Sequence, residues 1–176
     1  MGRRWPVRHE SRMNVDRHIM QPSPEPIQIQ IREATLADVP QLSDLLTLLF
    51  GQEADFTPDA GRQIIGLRMI LGQPEVGRIY CAATKTGKIV GMVGILYTVS
   101  TAEGGQAAWL EDMVVHPDLR GRGVGEQLLQ TAVEQARAAG YKRITLLTDA
   151  VNERAIRFYG RAGFKASAMI PLRLKL

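Results

Sequence analysis

Apolar and polar positions change period several times along the chain, and each change marks an element. Ile27, Ile29 and Ile31 alternate with polar neighbours, as in a half-buried strand. Behind Thr35, a helix-capping type, Leu36, Val39, Leu42, Leu45, Leu46 and Leu49 recur at helical spacing until Gly51. Thr57-Pro58-Asp59 opens a second helix carrying Ile64, Ile65, Leu67, Met69, Ile70 and Leu71, with Gly72 as its stop. Residues 78–84 and 88–100 then read as two strands joined by the turn Lys85-Thr86-Gly87-Lys88. A glycine-rich loop over 102–106 leads into a further strand, 108–115.

From there the pattern becomes strand, turn, helix, strand. Val124, Leu128, Leu129, Ala132, Val133 and Ala136 form one apolar stripe, and Gly140 follows as the helix stop. Residues 144–147 are the next strand, so this unit predicts a right-handed crossover between parallel strands. Asn152 caps a last helix, and residues 164–175 are expected to add one or two closing strands. The order βααβββαβαβ(β) predicts an α/β (α+β) fold, a mixed sheet with helices on both faces and no internal repeat.

The first 26 residues break this pattern. They are polar, lack an apolar period and end in Pro22-Ser23-Pro24-Glu25-Pro26, which predicts a disordered tail ahead of a single domain over 27–176. Five arginines stand there within residues 1–20 against Glu10 and Asp16, so most of the net charge of +4 belongs to the tail. The remainder is nearly neutral, which argues against nucleic-acid binding. No apolar core of a secretory signal is present, the arginine-rich stretch is a poor transit segment, and translation from Met13 or Met20 is an equal alternative. No apolar run approaches the roughly 18 residues of a membrane span. The expected setting is therefore cytoplasmic, without a membrane partner. One cysteine, Cys81, sits in an apolar stretch and reads as a buried structural thiol, and His9, His18 and His116 are not a metal set.

The chemistry concentrates in residues 108–164. A strand runs into Arg120-Gly121-Arg122-Gly123-Val124-Gly125-Glu126 and then a helix. Three glycines at a helix start aim backbone N–H groups at one spot, where the helix dipole also favours negative charge. The expectation is a phosphate or pyrophosphate held by the amides of Gly121 to Glu126, aided by Arg120 and Arg122. The plainer alternative is a tight strand-to-helix connection. It is not a Walker loop, and Glu126 stands where the dinucleotide fingerprint needs its last glycine.

What remains, Arg120-x-x-Gly123-x-Gly125, is followed by Asn152-x-x-Ala155, Tyr159 and Gly163-Phe164. In this the chain resembles the GCN5-related N-acetyltransferase (GNAT) superfamily. The resemblance implies a mostly antiparallel sheet with one splayed parallel strand pair, acetyl-CoA as donor and a primary amine as acceptor. It also implies that Met113, Val114 and Val115 bind the pantetheine arm through their backbone, that Asn152 contacts the cofactor as well as capping its helix, and that the Tyr159 hydroxyl lies near the sulfur as general acid. A homodimer is an assembly found among relatives.

Two adjacent carboxylates, Glu111 and Asp112, stand in an otherwise apolar strand, where burial is costly without purpose and raises a carboxyl pKa. Glu111 is the favoured base. Strand alternation would put it on one face with Met113 and Val115, and Asp112 with Val114 on the other. The alternative is that one acid only binds a substrate cation or sits at the strand edge. The run Leu110-Glu111-Asp112 also resembles that of polyamine and other small-amine acetyltransferases. The acceptor site would lie over the first two helices and the 51–58 loop, with Glu53 and Asp55 attracting a cationic amine. Three readings of function stand side by side: transfer to a small-molecule amine, transfer to a protein N-terminus or lysine, and a catalytically silent acyl-CoA-binding regulatory module.

Overall fold

The computed structural model describes residues 28–52, 57–174 and 176. The tail and the pair Glu53 and Asp55 lie outside the described residues, so those expectations have no structural counterpart here. Five strands, β1 (Ile29–Glu33), β2 (Gly77–Thr84), β3 (Ile89–Ser100), β4 (Gly105–Val115) and β5 (Ile144–Leu146), lie in one sheet in chain order. The first four pair antiparallel and β4 pairs with β5 in parallel. Helices α1 (Val39–Phe50) and α2 (Ala60–Gly72) fill the β1–β2 connection. Helix α3 (Val124–Ala138) is the crossover between β4 and β5, and α4 (Glu153–Arg161) follows β5.

Each face of the sheet carries its own core. On one, Tyr80, Val93, Ile95, Ala108 and Leu110 meet Leu128, Leu129 and Ala132 of α3. On the other, Ile79, Cys81, Met92 and Val114 meet Leu42, Leu45, Leu46 and Leu67 of α1 and α2. The period-2 strands and the amphipathic helices thus cover one another, which is the main stabilising term. Cys81 is fully buried, and burial pushes its thiol up to about 11, so it remains an inert packing group.

Two local differences from the sequence expectations have physical causes. Thr35 is followed by a single 3₁₀ turn, Leu36–Asp38, before α1 begins with Pro40 at its second position. Residues 164–174 form no strand. Met169, Ile170, Leu172 and Leu174 are all at least 78% exposed. β5 offers a ladder only three residues long, and Pro171 removes a donor from the middle of the run, so pairing has little to gain.

The junction of β1 and α1 is fastened by a charged cluster. Asp38 accepts two 2.8 Å hydrogen bonds from the Arg32 guanidinium, and the Thr35 N–H and hydroxyl donate to its Oδ2 at 2.8 and 3.0 Å. These donors, with Arg32 first, hold the Asp38 carboxyl down at about 2, although burial opposes them. The folded-state value is therefore below that of the unfolded chain. Its stabilisation is complete above the unfolded pKa near 3.8 and is lost as the pH falls toward about 2. Asp38→Asn should cost on the order of 2 kcal/mol at neutral pH. The same variant should flatten the fall in stability below about pH 4. Denaturant unfolding across that range measures both effects, and a wild-type slope retained by the variant contradicts them.

Candidate active site at the end of strand β4

Strand β4 does not keep its alternation. Glu111 lies opposite Gly94 on β3, but Val114 lies opposite Met92, so three steps on β4 face two on β3. The extra residue is accommodated at Asp112, whose φ of 51° is the only positive value among described non-glycine residues. Asp is one of the few residue types that tolerate this left-handed conformation. The bulge reverses the facing of everything after it. Glu111, opposed to the core residue Leu110, shares the α1–α2 face with Val114, whereas Met113 and Val115 pack on the α3 side. The expected grouping of Glu111 with Met113 and Val115 is therefore corrected.

The same strand loses its parallel neighbour at this point. Pairing with β5 is confined to Ala108–Leu110, and among the described residues this parallel ladder does not continue past Leu110. Their β3 partners persist as far as Val115. The result is a strand end bonded along one edge and open along the other. One acceptor near it is already committed: the Val115 carbonyl accepts from Arg120 Nε at 3.0 Å. The guanidinium also reaches Gln52 Oε1 at 3.3 Å, linking the end of α1 to the glycine turn.

That turn leads directly off the strand. Gly121 and Gly123 have φ of 74° and 77°, which L side chains rarely adopt, and α3 begins at the next residue, Val124. The first intrahelical bond at the start is Gln127 N–H to the Gly123 carbonyl, so the N–H groups of Val124, Gly125 and Glu126 have no intrahelical acceptor. Gly125 is the meeting point of three elements, because a Cβ there would lie 3.6 Å from Met113 Cε and from the Phe158 ring. Arg122 is exposed on the turn. Glu126, in the first helical turn, accepts from Arg161 of α4 at 3.4 Å, which offsets a negative charge beside the anion-attracting N–H groups.

On α4, Asn152 Oδ1 accepts the Ala155 N–H at 3.0 Å, confirming the cap and leaving its amide nitrogen outside that bond. Tyr159 is held edge-on between Phe158 and Phe164, with ring centroids 5.1 and 5.8 Å away. Burial raises its phenol to about 12, so the hydroxyl keeps its proton at neutral pH. Glu111 is exposed on the strand, yet partial desolvation raises its carboxyl above the ordinary range, against an opposing pull from the charge of Arg173. Trp109 shares the face of Glu111, and its side is 37% exposed. Glu111 thus lies on the α1–α2 face of the sheet, whereas Tyr159 packs against the core of the α3 face. Two participants in this geometry, Arg161 and Trp109, carry no motif signal. Only the arrangement in space brings them to the site.

Residues 41–164 match the model of the acetyltransferase (GNAT) family. The aminoalkylphosphonate N-acetyltransferase of Salmonella typhimurium is 33% identical over 138 residues, 78% of this chain and 86% of that protein. The glucosamine 6-phosphate N-acetyltransferase of Trypanosoma brucei brucei is 33% identical over 92 residues, covering 52% and 60% of the two chains. Among solved structures, an integron cassette protein from the mobile metagenome of Cole Harbour Salt Marsh superposes with a TM-score of 0.73 at 31% identity, covering 84% of this chain and 90% of that one. With a broken parallel ladder, a three-glycine helix start and relatives of this kind, the chain belongs to the GNAT family of acetyltransferases.

Proposed function

We propose that this acetyltransferase moves the acetyl group of acetyl-CoA to the primary amine of a small molecule, by direct attack through a tetrahedral intermediate. The observation that carries the reading is the bulged end of β4, open toward β5, bonded to β3, and continuous with the glycine turn. Amides of Gly121 to Glu126, with Arg122 beside them, suit the diphosphate, and Arg120 supports the turn through its bonds to Val115 and Gln52. The open edge at Met113, Val114 and Val115 suits an extended amide-bearing arm laid down as an added strand. Asn152 retains a donor that can serve the same arm. The named substrates of the two curated relatives above are small amines, which supports a small-molecule acceptor here.

Three chemical problems then fall to named groups. The acceptor arrives as an ammonium, with a pKa of about 10.4 for a lysine-type amine, and must lose a proton before attack. Glu111 takes it, because its desolvated carboxyl is a stronger base than an exposed one. Backbone N–H groups at the β4 end stabilise the oxyanion as the nitrogen–carbon bond forms. When the carbon–sulfur bond breaks, Tyr159 delivers its proton to the departing thiolate.

Glu111→Gln should lower kcat/KM by about two orders of magnitude and remove the acidic limb of the pH–rate profile. That limb should lie above the ordinary carboxylate range in the wild type, and Asp112→Asn should retain it. An unchanged profile in the Glu111 variant rejects the assignment. Tyr159→Phe should slow turnover by about tenfold or more and leave coenzyme A affinity within about twofold. Loss of affinity without loss of kcat reverses that role. Gly123→Ala places a Cβ at φ 77°, costs about 1 kcal/mol and weakens coenzyme A binding. Gly125→Ala makes only ordinary 3.6 Å contacts and should bind as the wild type does. Calorimetric titration of both variants checks the contrast.

A further inference from the structure

Helix α3 begins with an acid that can work for or against an anion site. Glu126 lies in the first turn, three residues after Gly123. From that position a glutamate ordinarily folds back onto the N–H groups of the helix start and stabilises them. There it would set a negative charge among the N–H groups of Val124, Gly125 and Glu126, the donors that the proposed diphosphate needs. Glu126 does not fold back. Its Oε1 accepts instead from Arg161 Nη2 of α4, at 3.4 Å. The Arg161 guanidinium also lies 5.9 Å from the centre of the Phe158 ring, and that ring packs 3.6 Å from where a Gly125 Cβ would stand. Between α3 and α4 is a cavity of about 370 Å³ lined by Leu129, Val133, Phe158 and Ala162 together with Glu126 and Arg161, so close packing does not hold the pair on that side. Neighbouring charges are engaged elsewhere: Arg157 with Glu153 at 2.9 Å, and Arg120 with Val115 and Gln52.

We propose that Arg161 is a positioning residue for the acetyl donor: it draws the Glu126 carboxylate off the start of α3 and so keeps the anion site open. This rests on the reading of the glycine turn given above. Arg161 acts through Glu126 and not through a contact of its own with the diphosphate. Without the guanidinium the carboxylate returns to the first turn, where it stabilises the ligand-free helix and repels a diphosphate. Both side chains are more than half exposed, 65% for Arg161 and 58% for Glu126, so the pair adds little to the stability of the fold and is weakened by salt. Its consequence is for binding.

The test is calorimetric titration of the full chain with coenzyme A at low ionic strength. Arg161→Ala should raise Kd about fivefold. Arg161→Lys should keep most of the wild-type affinity, because a cation within reach of Glu126 is what the role requires. Glu126→Ala should bind at least as tightly as the wild type. Arg161→Ala combined with Glu126→Ala should return to within about twofold of wild-type affinity, since no carboxylate is left to move back. The gap between the wild type and Arg161→Ala should narrow in about 0.5 M salt. An unchanged Kd in Arg161→Ala overturns the inference. A double variant as weak as Arg161→Ala also overturns it, because the arginine would then act on the ligand directly or through the fold. Either result leaves the glycine-turn reading standing, whereas failure of the wild-type chain to bind coenzyme A overturns both.

Discussion

One surplus residue in β4 governs the whole site. A regular antiparallel partner to β3 would have kept Glu111, Met113 and Val115 on a common face and its outer edge straight against β5. The insertion at Asp112 instead gives the strand a local twist. Beyond it, Met113 and Val115 point at α3 while Glu111 stays with α1 and α2. The parallel ladder stops at Leu110, immediately before this irregularity. A break in hydrogen bonding and a change of face therefore coincide at one point of the strand.

The opening is affordable because its surroundings are rigid. Leu42 and Leu128 are both fully buried, one on each face, so the strands flanking the bulge are clamped from above and below. Arg32, Thr35 and Asp38 fix the start of the α1–α2 layer, and Arg120 ties the end of α1 to the strand end and the glycine turn. Met113, Gly125 and Phe158 pack at ordinary van der Waals distance, joining β4, α3 and α4. A larger side chain at position 125 would wedge these elements apart, so the third glycine of the turn acts through packing and the first two through backbone conformation. A site of polar backbone groups is left incomplete only where such packing prevents the chain from collapsing onto it.

Much of this was legible in the sequence because period and caps are local signals. The alternation through Ile31, the stripe through Leu128 and Ala132, the stop at Gly140 and the cap at Asn152 each depend on a few neighbouring residues, and each matches the structure. The facing of Glu111 was not legible. A bulge depends on what the partner strand does, and the aspartate that permits it looks like an ordinary acid in an apolar run. Period also overreached at the C-terminus. Leu172 and Leu174 alternate as a strand should, but alternation states only which side would be buried if a partner edge were available. Arg173 lies beyond the reach of any motif for the same reason, since only tertiary placement relates it to a residue some sixty positions earlier.

The electrostatics of the opening follow from these placements. Desolvation alone would strengthen Glu111 as a base, but a carboxylate desolvated too far stays protonated at working pH and accepts nothing. The charge of Arg173 acts against that rise. Tyr159, on the far side of the sheet, meets neither charge, and its phenol is governed by burial alone. The two groups are thus under different influences, Glu111 under desolvation opposed by a cation and Tyr159 under burial alone.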